Sequence, residues 1–343
     1  MWTVVSVTFD SGHVQIASIN DDGVETIIVR NGESEAVSLT ALYNAAGLPS
    51  APKTMDGLIG SGAAELERLR STLTGAGRLP TIDLADVDWL PPQPRPLKML
   101  GVAFNNKNTR KAVHVDPGVP NYFLKSASCL TGHGKPVIIR EFYGETIPEP
   151  ELCMIIGKAG KDISEEQALD FVFGYSIVND ITSHGMKFSK DSVATTRAPE
   201  TMKPEFLSWR KRHSGDDNDL YFVYHTRSKS ADTFGPMGPW ITTTDEVIDP
   251  NNVRIRAYWN DELFSDDSTS SYTFSVQSLI ADASKYFTLQ PGDIFCCGTA
   301  AKGNKRFPHA HRNVSLQKEE GTLRVELDGL GKLINPVLHE WKC

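Results

Sequence analysis

The sequence Pro148-Glu149-Pro150-Glu151 runs directly into the apolar stretch Leu152-Cys153-Met154-Ile155-Ile156. The apolar stretch predicts a strand, and side chains alternate between the two faces of a strand. Glu149 and Glu151 should therefore point the same way, about 6–7 Å apart. Two carboxylates on one face repel each other and resist burial unless a cation bridges them or they share a proton. Because oxygen ligands suit Mg²⁺, Ca²⁺ or Mn²⁺, the stretch indicates half of a metal site. The alternative is a solvated strand end whose two acids face water.

A third acid, Asp180, follows 29 residues after Glu151, within the strand-like stretch 174–182. An ionised aspartate inside an apolar strand is costly unless it is paired. The alternative is that Asn179-Asp180 starts a turn. Three carboxylates from two strands would make an open octahedral site, completed by water and substrate.

Composition and charge exclude several classes of protein. The net charge of −8 over 343 residues argues against general nucleic-acid binding, which needs a basic surface. No apolar run is long enough to cross a membrane, and the first residues lack the pattern of a signal peptide. Five dispersed cysteines without zinc-type spacing are typical of a reducing cytoplasm. No glycine-rich phosphate-binding motif indicates a nucleotide cofactor.

The length of the chain predicts two domains. Turn signals in residues 1–43 favour antiparallel hairpins, and helices are expected at 38–46 and 55–74. The proline-rich segment Pro91-Pro92-Gln93-Pro94-Arg95-Pro96 is typical of a linker. We therefore expect a small N-terminal α+β domain with its linker at 1–95 and a catalytic domain at 96–343.

The second part of the chain is rich in strands. Few helices interrupt them, which favours an α+β, β-rich fold over a Rossmann fold. A capping box at Ser164-Glu165-Glu166-Gln167 predicts a helix through Phe171, and a second helix is expected at 273–287. Residues 184–219 form a long polar insertion. The expected strands are 121–126, 135–140, 151–157, 174–182, 220–225, 253–259, 293–297 and 322–328.

Taken together, these motifs resemble the fumarylacetoacetate hydrolase family over about residues 98–337. The acidic motif and Asn179-Asp180 are followed in order by Lys229, Gly235-Pro236-Met237-Gly238-Pro239, Pro291-Gly292-Asp293 and Gly298-Thr299. The combination is far more specific than any one of its parts. The N-terminal part is similar only to the variable extension that many members carry.

The resemblance implies a mixed β-roll catalytic domain, a homodimer, and Mg²⁺ or Mn²⁺ (Ca²⁺ in crystals) bound by Glu149, Glu151 and Asp180. The implied substrate is a small 2-oxo acid, and the first hypothesis is C–C hydrolysis of an acylpyruvate-like 2,4-dioxo acid. One alternative is a lyase that dehydrates a 2-keto-3-deoxy sugar acid, or a decarboxylase or isomerase of a 2-oxo acid. Another is a catalytically silent metal-binding relative. The active members share a metal that polarises a carbonyl and stabilises an enolate.

Further site residues follow from the same resemblance. Lys229 matches a lysine beside the metal and substrate, and Thr299 matches a hydroxyl that contacts the substrate. Lys125, in a Phe-x-Lys strand, would attract an anionic substrate or form a structural ion pair. His184 stands where the family often has arginine. Apart from the resemblance, the glycines of Gly132-His133-Gly134 tolerate close approach of the backbone, so His133 could reach the site; the alternative is an ordinary loop histidine.

The chain departs from the family where hydrolytic members carry a histidine and a glutamate that activate water. Lys107, a candidate catalytic residue, and Arg110, a candidate substrate ligand, occupy those positions. Arginine cannot act as a base, whereas lysine can if it is desolvated. Three explanations stay open: the base is Lys107 or comes from His114, His133 or His184; the reaction is not hydrolysis; or the register is shifted by a few residues.

Overall fold

The computed structural model describes residues 3–6, 14–74, 77–113, 116–196 and 219–342. The α-helices in these ranges are α1 (Leu39–Ala45), α2 (Met55–Gly60), α3 (Ala63–Thr74), α4 (Lys107–Arg110), α5 (His184–Ser189), α6 (Thr226–Ser230) and α7 (Val276–Tyr286). The strands are β1 (Thr3–Ser6), β2 (Gln15–Asp21), β3 (Val24–Asn31), β4 (Glu35–Ser38), β5 (Arg78–Asp83), β6 (Met99–Ala103), β7 (Asn121–Lys125), β8 (Leu130–Thr131), β9 (Val137–Ile139), β10 (Thr146–Ile147), β11 (Pro150–Ile156), β12 (Val172–Asn179), β13 (Thr182–Ser183), β14 (Ser192–Thr196), β15 (Asp219–Val223), β16 (Gly235–Pro236), β17 (Ile241–Thr243), β18 (Arg254–Trp259), β19 (Glu262–Ser268), β20 (Ile294–Thr299), β21 (Gly321–Leu327) and β22 (Gly331–His339).

An eleven-stranded sheet forms the centre of the molecule, in the order β1-β5-β4-β3-β2-β17-β12-β11-β20-β6-β7. Its middle strands β11 and β12 are antiparallel and buried along their whole length. This burial on both faces explains why their sequences are almost continuously apolar rather than alternating. Strand β20 lies on the other side of β11, so the acidic motif is held between two buried strands.

The N-terminal strands continue this same sheet. Strand β2 pairs with β17, with Ile16 opposite Ile241. The sheet therefore runs across the linker position proposed from the sequence, and the division at residue 95 stays a prediction. A second sheet, in the order β19-β18-β21-β22-β9, packs against the first around a shared apolar core.

The predicted class is confirmed: the fold is α+β, rich in strands, with mixed sheets. Two helix predictions were wrong in detail. The helix expected at 55–74 is broken into α2 and α3, because Gly62 adopts a positive φ of 76°. The capping-box segment forms a 3₁₀ helix at Glu165–Phe171, and the Ser164 side chain does not cap it.

The polar insertion begins with α5 and β14, and β14 pairs with β15. Residues 197–218 of the insertion lie outside the described ranges. None of the described helices is long and apolar enough to span a membrane.

Candidate metal centre and cavity

The ends of β11 and β12 bring the three predicted acids together. Glu149 directly precedes β11 and Asp180 directly follows β12. The Asp180 N–H donates to the Glu149 carbonyl at 2.8 Å, and the Glu149 N–H donates to the Asn179 side-chain oxygen at 2.8 Å. One carboxylate oxygen from each of Glu149, Glu151 and Asp180 lies within 4.8 Å of the others. The sequence prediction of a converging acidic triad matches this geometry.

The triad is electrostatically unbalanced. Burial and the neighbouring Asp180 and Glu149 carboxylates raise the pKa of Glu151 well above its ordinary value. Burial also opposes the charge on Glu149, but the Lys229 ammonium lowers the pKa of Glu149 to about 2. Glu151 is thus shifted towards its protonated form. A divalent cation would relieve the repulsion among the three carboxylates.

Glu151 is positioned by the end of β20. Its Oε2 accepts a hydrogen bond of 2.7 Å from the Gly298 N–H. Gly298 has a φ of 125°, and a Cβ at this position would lie 2.7 Å from the Asn105 Cβ. Only glycine fits this backbone conformation and this close approach, which explains the Gly298-Thr299 motif.

Two buried lysines contact the triad. Lys229 Nζ lies 2.6 Å from Glu149 Oε2 and 2.6 Å from Asp180 Oδ2, and 4.8 Å above the centre of the Phe123 ring. Burial lowers the pKa of Lys229, but the carboxylates of Asp180 and Glu149 raise it more, so the net shift is upward. Lys125 Nζ donates to Asp180 Oδ1 and to the Phe234 carbonyl, at 2.5 and 3.1 Å. Three carboxylates therefore face two ammonium groups.

The donor set fits a hard divalent cation. All three candidate ligands are carboxylates, the ligand type that Mg²⁺ and Mn²⁺ prefer. Within the described part of the chain, Oε1 of Glu149 and Oε1 of Glu151 accept no hydrogen bond, so each is free to bind a metal. Glu149 and Glu151 can thus bind an ion without giving up the contacts that position them. Both oxygens of Asp180 accept from lysines, so Asp180 would bind an ion through a remaining lone pair of one of these oxygens.

The triad opens into a cavity of about 100 Å³. Apart from the three acids, every ionisable residue described on its wall is basic, so the cavity is suited to anions. These basic residues are His184, Lys187, His225, Lys229, His311 and Arg312. The remaining wall is formed by Val102, Ala103, Phe104, Thr109, Phe123, Thr182 and Thr299.

The three histidines of the wall are held in their neutral form. Burial lowers the pKa of His225 and of His311 to about 4, and it also lowers the pKa of His184. His225 adopts a φ of 52°, and its ring centre lies 5.7 Å from that of Phe123. His311 Nδ1 lies 3.2 Å from the Ala300 carbonyl oxygen. Each imidazole is therefore a proton acceptor at neutral pH.

The structure brings His184, Thr299 and Lys229 to the cavity, as the resemblance implied. Lys125 lies behind Asp180 as an ion-pair partner and does not line the wall. His133 lies elsewhere, since its Nδ1 accepts from the Ile334 N–H at 3.2 Å. His184, Thr299 and Lys229 therefore lie where they can contact a substrate, whereas Lys125 and His133 support the fold.

Helix α4 directs the side chains of Lys107 and Arg110 away from the cavity. These two residues occupy the positions of the histidine and the glutamate of hydrolytic family members. Lys107 Nζ donates to the Ser270 carbonyl at 2.9 Å, and Arg110 pairs with Asp116 and stacks over Phe274 at 4.7 Å. Thr109 of the same helix lines the cavity instead. Successive side chains of a helix point in different directions around its axis, so one turn can direct one residue inward and its neighbours outward. His114, the other candidate base, lies outside the described residues.

Sequence reasoning missed four basic residues of the wall. Lys187 lies three residues after His184 on α5, the spacing that places two side chains on one helix face. His225 precedes α6. His311 and Arg312 belong to the 3₁₀ helix Ala310–Asn313. The signal for the last pair was the basic run His309-Ala310-His311-Arg312, soon after the Gly298-Thr299 motif.

Comparison with known proteins supports the family predicted from these motifs. The model of the fumarylacetoacetate (FAA) hydrolase C-terminal family matches residues 98–338. The chain belongs to this family. It is 30% identical to the mitochondrial oxaloacetate tautomerase fahd2 of Xenopus laevis over 292 residues, 84% of this chain and 80% of that protein. It is likewise 30% identical to human oxaloacetate tautomerase FAHD2A, over 84% of this chain and 81% of that one.

Solved structures of the family share the fold. Maleylpyruvate hydrolase from Sphingobium sp. SYK-6 is 27% identical, with a TM-score of 0.68, over 95% of this chain and 99% of that chain. The same hydrolase has also been crystallised in complex with manganese(II) and pyruvate. These relatives are enzymes, and the prediction of an enzyme of this family is confirmed.

Proposed function

We propose that this protein is a divalent-metal-dependent hydrolase that cleaves a C–C bond in an acylpyruvate-like 2,4-dioxo acid. The products are pyruvate and a second carboxylic acid. The observation that carries the proposal is the acidic triad, with oxygens within 4.8 Å of one another, at the base of a cavity whose other ionisable residues are basic. The similarity to maleylpyruvate hydrolase supports it.

Glu149, Glu151 and Asp180 would hold Mg²⁺ or Mn²⁺. The bound ion would polarise the 2-oxo group and stabilise the enolate charge that develops as the C–C bond breaks. Lys229, kept protonated by Glu149 and Asp180, places a fixed positive charge at the same point. Thr299 presents a hydroxyl from the wall, and this hydroxyl would turn from the Ala300 carbonyl to donate to the substrate carboxylate.

The basic wall also favours a particular substrate charge. Lys187 and Arg312 line the cavity together with the histidines, and no acid outside the triad is described there. A substrate with a second carboxylate would gain from this field, whereas an uncharged polyhydroxy chain would not. The cavity thus favours a dianionic dioxo acid over a deoxy sugar acid.

The second candidate is a tautomerase of an oxaloacetate-like 2-oxo dicarboxylate. It is favoured by the position of Lys107 and Arg110, which lie away from the described cavity. Keto–enol exchange needs only proton transfer at C3 and no activated water. The oxaloacetate tautomerases among the relatives support this candidate.

A product assay separates the two candidates. Chelator-treated protein would be reloaded with Mn²⁺ or Mg²⁺ and mixed with acylpyruvates that carry a neutral or a carboxylated acyl group. Hydrolysis gives pyruvate and the second acid in equal amounts as the enol absorbance falls. With oxaloacetate, a tautomerase changes the enol absorbance before any pyruvate forms. Absence of turnover on both substrate classes would contradict both candidates and favour a catalytically silent relative.

Assembly and location belong to the same proposal. We infer a homodimer from the family resemblance, and light scattering of the purified protein tests it. We infer a cytoplasmic location from the unpaired cysteines: Cys129, Cys153, Cys296 and Cys297 are all buried and free. Imaging of the tagged protein in its host tests that inference.

A further inference from the structure

The cavity wall contains a buried histidine at the junction of two cavities. His311 is buried and lines both the triad cavity and an adjoining cavity of about 280 Å³. Thr109 and Arg312 are also shared by the two cavities. His311 therefore lies where the two cavities meet. A dioxo acid held at the triad through its 2-oxo end would pass His311 if its other end entered the adjoining cavity.

One hydrogen bond fixes the form of this imidazole. His311 Nδ1 lies 3.2 Å from the Ala300 carbonyl oxygen, and a carbonyl oxygen can only accept. Nδ1 must therefore carry the hydrogen, which leaves Nε2 of the neutral ring with its lone pair. Within the described residues, Nε2 has no hydrogen-bond partner. The ring is thus oriented by the backbone and presents a proton acceptor.

The loop that carries His311 is anchored at its base. The N–H groups of Ala301 and Lys302 both donate to Asp267 Oδ2, at 2.8 and 2.9 Å. The same oxygen accepts from the Asn106 side chain at 2.9 Å. Asp267 therefore ties the loop to the start of helix α4. A base needs this kind of support to stay within reach of its proton.

The other two histidines of the wall lack this orientation. His225 Nδ1 is buried without a hydrogen-bond partner. His184 makes no hydrogen bond through its ring to the described residues, and its ring centre lies 6.2 Å from that of Phe188. Among the described histidines of the cavity, His311 is the one whose tautomer is fixed by the backbone.

We propose that His311 is the general base of the reaction, in place of the histidine–glutamate pair of hydrolytic family members. This inference rests on the proposed hydrolase function. Nε2 removes a proton from water while the water oxygen bonds to C4 of the dioxo acid, and the π electrons of the C4 carbonyl move to its oxygen. The C4 carbonyl then re-forms as the C3–C4 bond breaks, and the electron pair of that bond moves to C3 as the pyruvate enolate. The imidazolium then returns the proton to C3, which gives pyruvate and the second carboxylic acid.

The first test measures turnover and metal binding of His311→Asn. The asparagine amide can still donate to the Ala300 carbonyl, but it has no basic nitrogen. We expect kcat on the best acylpyruvate to fall about 10²- to 10⁴-fold, with Mn²⁺ affinity within threefold of wild type. Lys305→Asn, an exposed residue of the same loop, is the control and should keep full activity. A His311→Asn enzyme with kcat within threefold of wild type would overturn the proposal.

The second test reads the tautomer directly. Nitrogen-15 spectra of histidine-labelled protein, assigned by comparison with His311→Asn, should show the Nδ1–H form of His311. A ring protonated at Nε2 would overturn the proposal. If His311→Asn does not fold, His311→Gln is measured by the same criteria. A wild-type enzyme inactive on all dioxo acids would instead refute the proposed function, whichever tautomer His311 has.

Discussion

Lys125 and Asp180 form an ion pair in which both side chains are buried, with 2.5 Å between Nζ and Oδ1. Burying two charges is costly, and the pair compensates only when its geometry is good and its other hydrogen bonds are made. Here Lys125 also donates to the Phe234 carbonyl. Lys125 therefore supports a candidate metal ligand from behind and does not reach the substrate.

Replacing this lysine should destabilise the protein. Lys125→Met leaves Asp180 with Lys229 as its remaining ammonium partner, and we expect the free energy of unfolding to fall by about 3–5 kcal/mol. Denaturant unfolding followed by fluorescence measures the loss. The control is Arg254→Met, which removes the exposed pair with Asp266 and should cost less than about 1 kcal/mol. Equal losses in the two variants would show that the buried pair has no special role.

Lys107 should be dispensable for turnover. Its ammonium group contacts the Ser270 carbonyl on the surface and does not line the cavity. We expect kcat of Lys107→Ala to stay within about threefold of wild type, because no transition-state contact is lost. A fall of a hundredfold or more would return the base assignment to Lys107.

The position of the acidic triad could be predicted from the sequence, whereas the direction of the Lys107 side chain could not. Strand alternation indicated that Glu149 and Glu151 share a face, and the family resemblance joined Asp180 to them. The face that a one-turn helix presents is not encoded in the spacing of its residues. The family resemblance therefore placed residues 107–110 near the site but could not tell that Thr109, rather than Lys107 or Arg110, lines it.

His311 was missed for a different reason, although a basic run marks its position in the sequence. It lies far along the chain from the acids, in a loop without a regular period. Its position depends on contacts from Asp267 to the backbone of the loop, which no sequence pattern reveals. The fold class, by contrast, followed from the apolar strands, whereas the break between α2 and α3 depended on the single positive φ of Gly62.

The hydroxyl of Thr299 should matter for substrate binding. Thr299 lines the cavity, and its Oγ1 donates to the Ala300 carbonyl at 3.3 Å. A hydrogen bond to a charged carboxylate contributes about 1.5–3 kcal/mol, so Thr299→Val should raise KM by at least about tenfold. Thr299→Ser keeps the hydroxyl and should stay within threefold. If both variants behaved alike in steady-state kinetics, the hydroxyl would have no role in binding.

His133 should contribute to acid sensitivity. Burial and the charge of Lys332 lower the pKa of His133 from 6.5 to about 4 in the folded protein. Between these values the unfolded chain binds more protons, so stability falls as the pH drops from 6.5 to 4. His133→Asn removes this titration, while its amide oxygen can still accept from the Ile334 N–H.

The slope of unfolding free energy against pH should therefore decrease in His133→Asn by on the order of 1 kcal/mol per pH unit. Denaturant unfolding at several pH values between 4.5 and 6.5 measures this slope. An unchanged slope would mean that His133 titrates in the folded protein as it does in the unfolded chain.

The central claim is that Glu149, Glu151 and Asp180 bind one divalent cation, and calorimetric titration of chelator-treated protein with Mn²⁺ tests it most directly. We predict one site per chain in the wild type. The Mn²⁺ affinity of Asp180→Asn should be at least about tenfold lower than that of the wild type. Mutation of a residue that only supports a metal ligand can already lower metal affinity by this amount. Asp266→Asn, an exposed acid far from the triad in the sequence, is the control and should bind as wild type does. Undiminished Mn²⁺ binding by Asp180→Asn, or no binding by the wild type, would contradict the account.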